Sequence, residues 1–270
     1  MTGIDTSAQS RHQAEYWDAV ADQIQASDAP NKDLVGYHSP YDEYVRQVTL
    51  NFLDGLAPAV PQKHCIAELG SGAGLNIRYF SRYRPTRVLA FDCSSHLLAL
   101  ARANLSEFGN VEYIQTSGFD LPVPPGAQID LLYTVTVLQH IADPAMFQSV
   151  ASSIIAARPH YILAIEDTRR PGRLVTPDYR QRTPQDYIEA FTAGGYTLAS
   201  SRYTSLTWAA RLFGLINRIF GLYKQQEGAR VPRIVFALTN TLFPVARMFD
   251  AVLPGRFGLS GLLFELKQAP

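Results

Sequence analysis

Cys65-Ile66-Ala67-Glu68-Leu69-Gly70-Ser71-Gly72-Ala73-Gly74-Leu75-Asn76-Ile77-Arg78-Tyr79-Phe80 passes from an apolar, strand-like run through a glycine-rich elbow into a helix-forming run. Glycines at alternate positions let a chain bend tightly and let a ligand lie against main-chain N–H groups that a Cβ would shield. A dinucleotide-binding loop also sets glycines between a strand and a helix, but its third glycine follows the second by three residues. Gly74 follows Gly72 by two, and Glu68 at the strand end repels a pyrophosphate. A cationic or zwitterionic ligand suits this elbow better than a phosphate.

Working outward, short β-rich runs at 64–69, 87–91, 111–115, 130–137 and 161–165 alternate with helical segments near 74–83, 94–107, 144–157 and 184–193. That alternation predicts parallel strands joined by helical crossovers, a doubly wound α/β sheet covered on both faces. Ligands of such sheets bind outside the carboxyl ends of the strands, so motifs at strand ends carry the functional weight.

On the N-terminal side, Tyr16, Trp17, Val20, Ala21 and Ile24 recur at helical spacing and predict a helix over 9–26. After the polar stretch 27–38, Ser39-Pro40-Tyr41-Asp42 has the form of a capped helix start, with the helix reaching about Gly55. Asp143-Pro144 and Thr183-Pro184-Gln185-Asp186 repeat the signal. Beyond a sixth strand at 196–203, aromatic and aliphatic residues dominate 206–257, predicting helices over 206–222 and 233–249, the second broken at Pro244. A last strand is expected at 261–266. The implied organisation is an N-terminal helical lid (1–58), a core (59–204), a helical cap insertion (205–257) and the last core strand (258–270).

Lysine plus arginine, 24, equals aspartate plus glutamate, 24, so no global field recruits nucleic acid or an anionic surface. Cys65 and Cys93 lie in apolar stretches, where cysteine is most often a small buried hydrophobe; neither a disulfide framework nor a metal cluster is expected. The first residues lack the basic-then-apolar order of a secretory signal, which makes a cytoplasmic location the expectation.

Asp92 closes the second strand, about two dozen residues past the elbow, where an acidic side chain can accept both hydroxyls of a ribose. Ser94 caps the helix that follows, and Leu97 can pack on an adenine face. With Asp130-Leu131-Leu132-Tyr133-Thr134-Val135-Thr136-Val137-Leu138-Gln139-His140-Ile141-Ala142-Asp143-Pro144, these strings give the chain a clear likeness. It resembles a class I, Rossmann-like S-adenosylmethionine-dependent methyltransferase of the small-molecule type, over roughly residues 60–200. The resemblance implies a mostly parallel seven-stranded sheet with an antiparallel last strand, and S-adenosylmethionine as cofactor, leaving as S-adenosylhomocysteine. It puts the methionine part along Glu68, Gly70, Ser71 and Gly72 and near the main chain of Thr134, with Val135 and Gln139 close by. The ribose falls to Asp92, beside Cys93, and the adenine to Leu97 and the turn Ser117, Gly118 and Phe119. Ser117 stands where the family often has an aspartate for the adenine amine; Asp120 is the alternative. Tyr41 and Arg46 match a segment that covers the cofactor, Arg46 being suited to the methionine carboxylate.

Methyl transfer from a sulfonium is an in-line displacement, so the protein's main task is alignment, with a general base where the acceptor is a hydroxyl or protonated amine. His140, after the fourth strand, is the leading base candidate, its ordinary pKa of about 6.5 suiting proton transfer. Tyr41 or His38 would complete a relay, and Glu166 and Asp167 at the end of the fifth strand would position the acceptor. The acceptor is expected to be the O or N of a small, partly apolar molecule such as a secondary metabolite, sugar or lipid-linked compound. The segment 206–248 holds Arg211, Arg218, Lys224, Arg230, Arg233 and Arg247 against Glu227. A helical cap packed on the core is favoured there over peripheral membrane contact, the lipid-methyltransferase alternative. The longest uncharged stretch, 234–246, is too short to span a bilayer. A protein that binds S-adenosylmethionine without transferring its methyl is a further alternative. A nucleic-acid partner is not expected, since no base-flipping motif is present, and the chain is read as a monomer or homodimer.

Overall fold

The computed structural model describes residues 6–26, 39–222, 231–253 and 255–267. The stretch 27–38 with His38, and Lys224, Glu227 and Arg230, lie outside the described residues.

Strands β1 (Cys65–Leu69), β2 (Arg87–Asp92), β3 (Val111–Gln115), β4 (Leu131–Val135), β5 (Tyr161–Arg169), β8 (Tyr196–Ser205) and β9 (Phe257–Leu266) form a seven-stranded sheet in the order β3-β2-β1-β4-β5-β9-β8. Pairings from β3 across to β5 are parallel, whereas β9 is antiparallel to both β5 and β8. This is the mostly parallel seven-stranded sheet with an antiparallel last strand that the resemblance implies. Side chains alternate between two cores, Ile66, Val88, Leu131 and Leu163 facing one and Ala67, Leu89, Leu132 and Ile162 the other. Burial on both faces explains why these strands read as continuous apolar runs. The helices are α1 (Thr6–Ala26), α2 (Pro40–Leu56), α3 (Leu75–Phe80), α4 (Ser95–Asn104), α5 (Pro144–Ala156), α6 (Pro184–Thr192), α7 (Thr207–Ile219) and α8 (Arg233–Val252). Capping boxes begin α2 and α6, and Asp143 caps α5 through the N–H groups of Ala145 and Met146.

A two-stranded hairpin, β6 (Arg173–Thr176) with β7 (Tyr179–Gln181), has no counterpart in the sequence reading. Four expectations need correction. Strand β4 stops at Val135, because Thr136 adopts a left-handed conformation with φ 55°. Strand β9 begins at Phe257, and its Gly261 allows α2 to approach closely: a Cβ there would lie 2.8 Å from Leu56 Cδ1. Helix α8 runs unbroken through Pro244 to Val252. Pro244 and Asn240, whose carbonyl loses its helical donor, are both exposed, so water can satisfy that group. By length and composition alone α8 could therefore cross a membrane, contrary to the sequence reading.

Candidate active site

A cavity of about 370 Å³ lies over the carboxyl ends of the parallel strands. Its walls come from the elbow after β1, the end of β2, the turn after β3, the loop after β4 and Asp167 at the end of β5, with α1 and α2 completing the enclosure. The position straddles the switch point between β1 and β4, as the doubly wound topology requires.

The elbow is held by its own hydrogen bonds. The N–H groups of Gly70 and Ser71 both donate to the Phe91 carbonyl, at 2.8 and 3.0 Å, and Gly72 N–H donates to Asp92 Oδ2 at 2.8 Å. Gly74 N–H turns back to Ser71 O. The expectation that these groups face a ligand is therefore not met. A loop whose N–H donors are already engaged is a poor cradle for phosphate. Gly70 has φ 74°, and a Cβ there would meet Val137 Cγ2 at 2.3 Å, so the glycine lets the loop after β4 close against the elbow.

Asp92 is buried, which raises its pKa, and besides Gly72 it accepts the Ser94 N–H on Oδ1 at 2.9 Å. One lone pair on each oxygen is thereby used and the carboxylate is fixed in orientation. Ser71 Oγ, also on the wall, is buried with no hydrogen-bond partner among the described residues. The Cys93 thiol lines the wall with its pKa pushed up to about 12 by burial, so it stays protonated.

Of the residues singled out from sequence, Tyr41, Arg46, Gly70, Ser71, Gly72, Asp92, Cys93, Leu97, Ser117, Gly118, Phe119, Val135, Gln139 and His140 line this one cavity. Asp120 is exposed off the wall, its carbonyl accepting the Thr116 hydroxyl, which leaves Ser117 as the wall residue of that turn. Glu68, Thr134 and Glu166 lie behind the wall. Glu68 accepts from Asn76 Nδ2 at 2.8 Å and from the Tyr133 hydroxyl at 3.1 Å. Glu166 accepts from the Thr134 hydroxyl at 2.8 Å and from the N–H groups of Val137 and Gln139 at 3.3 Å each. Its carboxylate therefore braces the loop after β4, and of the two carboxylates expected near the acceptor only Asp167 lines the cavity.

The loop after β4 is clamped from several sides. Arg182, buried behind β7, donates to the carbonyls of Leu138 and Ile141 at 2.8 and 2.5 Å, and Gln13 of α1 donates to the His140 carbonyl at 2.9 Å. The His140 ring meets Trp17 edge-on at 5.1 Å and Tyr179 at 5.4 Å. Burial lowers its pKa to about 4, against the opposing influence of Asp178. The ring is neutral at ordinary pH and a weaker base than its free value suggests. Asp167 differs: burial raises its pKa to about 6, and the Tyr179 hydroxyl donates to its Oδ2 at 2.5 Å. Gln139 Oε1 accepts the Asp167 N–H at 2.7 Å. Tyr41 stands nearby with its phenol held protonated by burial and by the charge of Asp167, its ring stacked on Phe213 at 5.3 Å. Sequence reasoning missed Gln13, Trp17, Thr136 and Tyr179; Trp17 carried only the signal of an apolar helix face and Tyr179 sat in an apparent loop.

Glu68 carries the largest upward carboxylate shift, to about 8, caused by burial and opposed by its two hydrogen bonds. A folded pKa above the unfolded value of about 4.5 means the native state holds a proton that the unfolded state has lost. That stabilising contribution is complete below about pH 4.5 and is lost as pH rises through about 8. Between pH 6 and 8.5 the ligand-free protein is expected to lose on the order of 2 kcal/mol through this group. Melting curves of wild type and Glu68→Gln across that range should diverge accordingly, and parallel curves would remove the assignment.

Comparison with known proteins agrees with this geometry. Residues 67–154 match the family model described as a methyltransferase domain. It is a class I S-adenosylmethionine-dependent methyltransferase. A relative of this methyltransferase, the ubiquinone biosynthesis O-methyltransferase of Dinoroseobacter shibae, is 24% identical over 200 residues, 72% of this chain and 71% of that one. Among solved structures, the [4+2]-cyclase SpnF superposes with TM-score 0.63 at 11% identity, covering 96% of this chain and 97% of that one. The mycolic acid cyclopropane synthase CmaA1, complexed with SAH and CTAB, gives TM-score 0.62 at 12% identity, covering 95% and 98%. These superpositions show the shared fold. The methyltransferase cavity suits the cofactor on its own evidence: engaged elbow N–H groups that leave no phosphate cradle, an oriented carboxylate at Asp92, and the buried hydroxyl of Ser71 without a partner.

Proposed function

We propose that the enzyme methylates a hydroxyl oxygen of a small, partly apolar acceptor bound beside Tyr41, His140 and Asp167. The observation that carries this reading is Asp167, a cavity-wall carboxylate held by the Tyr179 hydroxyl, with its pKa raised to about 6 by burial. A hydroxyl or a protonated amine must lose a proton to attack, and a base of that strength is mostly ionised yet still basic at neutral pH, so Asp167 supports either acceptor. The name of the Dinoroseobacter relative, an O-methyltransferase, favours the hydroxyl.

In this reading Asp92 holds the ribose, Leu97, Ser117 and Phe119 surround the adenine, and Gly70 to Gly72 with Arg46 hold the methionine part. Glu68 and Thr134 act from behind the wall, keeping the elbow and the end of β4 in place. Bound S-adenosylmethionine supplies an electrophilic methyl on a sulfonium. Asp167 would take the proton of the acceptor hydroxyl, and the Tyr179 hydrogen bond fixes the carboxylate for it. Neutral His140, Trp17 and Tyr41 form an aromatic wall that aligns the acceptor and excludes water.

A panel of phenolic, catecholic, amine and thiol acceptors assayed with labelled methyl donor tests the proposal. Turnover is expected with hydroxyl acceptors, rising with pH through about 6. Turnover confined to amines or thiols would overturn it.

A further inference from the structure

The hairpin of α7 and α8 leaves an apolar face uncovered. Along α8, Ile234, Leu238, Leu242, Val245, Phe249 and Val252 recur at three- and four-residue steps and are exposed, Ile234 by 63% and Val252 by 69%. On α7, Leu215 and Ile219 are exposed one turn apart. The opposite side of α8 is committed to the protein: Val235 and Phe243 are buried, Phe243 meets the rings of Tyr41 and Tyr44, and buried Asp250 accepts the N–H groups of Trp208 and Ala209. Turning α8 to cross a bilayer would strip these partners, so the helix presents its free face sideways.

Charge says what covers that face. Arg211 and Arg218 lie on α7 and Arg233 on α8, all exposed, while Arg247 sits over the Tyr44 ring at 4.7 Å on the packed side, and the sole carboxylate on the described residues of the two helices is the buried Asp250. A second copy seated on the same face by a twofold axis would bring like charges together. An anionic lipid surface complements both features, taking the apolar stripe among its acyl chains and the guanidinium groups at the phosphates. We infer that the α7–α8 face is a peripheral docking surface for an anionic bilayer, with α8 lying in the plane of the interface. Through Phe213 and Phe243 the same hairpin packs on Tyr41 at the cavity wall, so docking sets the acceptor side of the cavity beside the lipid. Only this last consequence rests on the proposed acceptor; the docking itself does not depend on turnover.

Co-sedimentation of the full chain with vesicles of phosphatidylcholine, alone or mixed with phosphatidylglycerol, tests the inference. Binding is expected on the anionic vesicles, weakening with added salt. The pairs Ile234→Glu with Val245→Glu, and Arg218→Glu with Arg233→Glu, should each lower it by at least about tenfold. These side chains are outside the core, and an unchanged thermal shift with S-adenosylhomocysteine will show that both variants fold. Absence of wild-type binding to phosphatidylglycerol vesicles would overturn the inference, as would variants that bind like wild type or a solution dimer that the same substitutions dissolve.

Discussion

Replacing Asp167 by asparagine is expected to lower kcat/KM by about 10²–10⁴-fold while S-adenosylhomocysteine affinity stays within about threefold. The substitution keeps the shape, and an amide oxygen still accepts the Tyr179 hydroxyl, but it removes the only feature the proposal needs, a site that can take a proton. The pH profile separates this from simple misplacement. Wild-type kcat/KM should rise through about pH 6, following Asp167, and that limb should vanish in Asp167→Asn. His140→Gln is the control. With its pKa at about 4, His140 is neutral across the range, so the variant should lose alignment and retain the limb. If His140→Gln abolishes the limb and Asp167→Asn keeps it, the base is the histidine after all.

Asp250→Ala should produce the largest loss of stability. Helix α7 has no side-chain cap from its own Leu206, and Asp250 reaches across from α8 to supply one. Its Oδ1 accepts the Trp208 N–H and the Ser205 hydroxyl, and its Oδ2 accepts the Ala209 N–H, each at 2.9 Å. Truncation strands three donors in a buried site. At about 1.5–3 kcal/mol for each charged hydrogen bond, combined less than additively, the expected cost is roughly 3–5 kcal/mol. For a chain of this size that corresponds to a melting temperature lower by roughly 10 °C. Thermal melting checks it, and a shift below about 2 °C would mean that α7 is not held from α8.

Legibility in the sequence followed the range of the forces involved. Ser39, Asp143 and Thr183 each cap a helix through contacts three residues away or fewer, so the signal and the interaction share one short segment. Asp92 could be found because parallel strands are joined by connections of regular length. Glu166 and Asp167 could not be ranked. Neighbouring strand residues point to opposite faces, and β5 is apolar on both, so no pattern says which carboxylate reaches the cavity. Tyr179 came into view only once residues 173–181 folded as a hairpin and brought its hydroxyl to Asp167.

The sequence by itself determined the alternation of strands and helices and the strand ends that bear function, because strand periodicity, capping and glycine placement are local chemistry; the linked strings that carry the family resemblance implied the class of cofactor. The tertiary structure alone decided what the elbow does with its N–H groups, which carboxylate faces the acceptor, how far His140 and Asp167 depart from their ordinary proton affinities, and which side of α8 is left uncovered. Those properties depend on burial and on partners from distant segments, such as Phe91 for the elbow, Gln13 for the His140 loop and Trp208 for Asp250. No window of the sequence contains both members of such a pair.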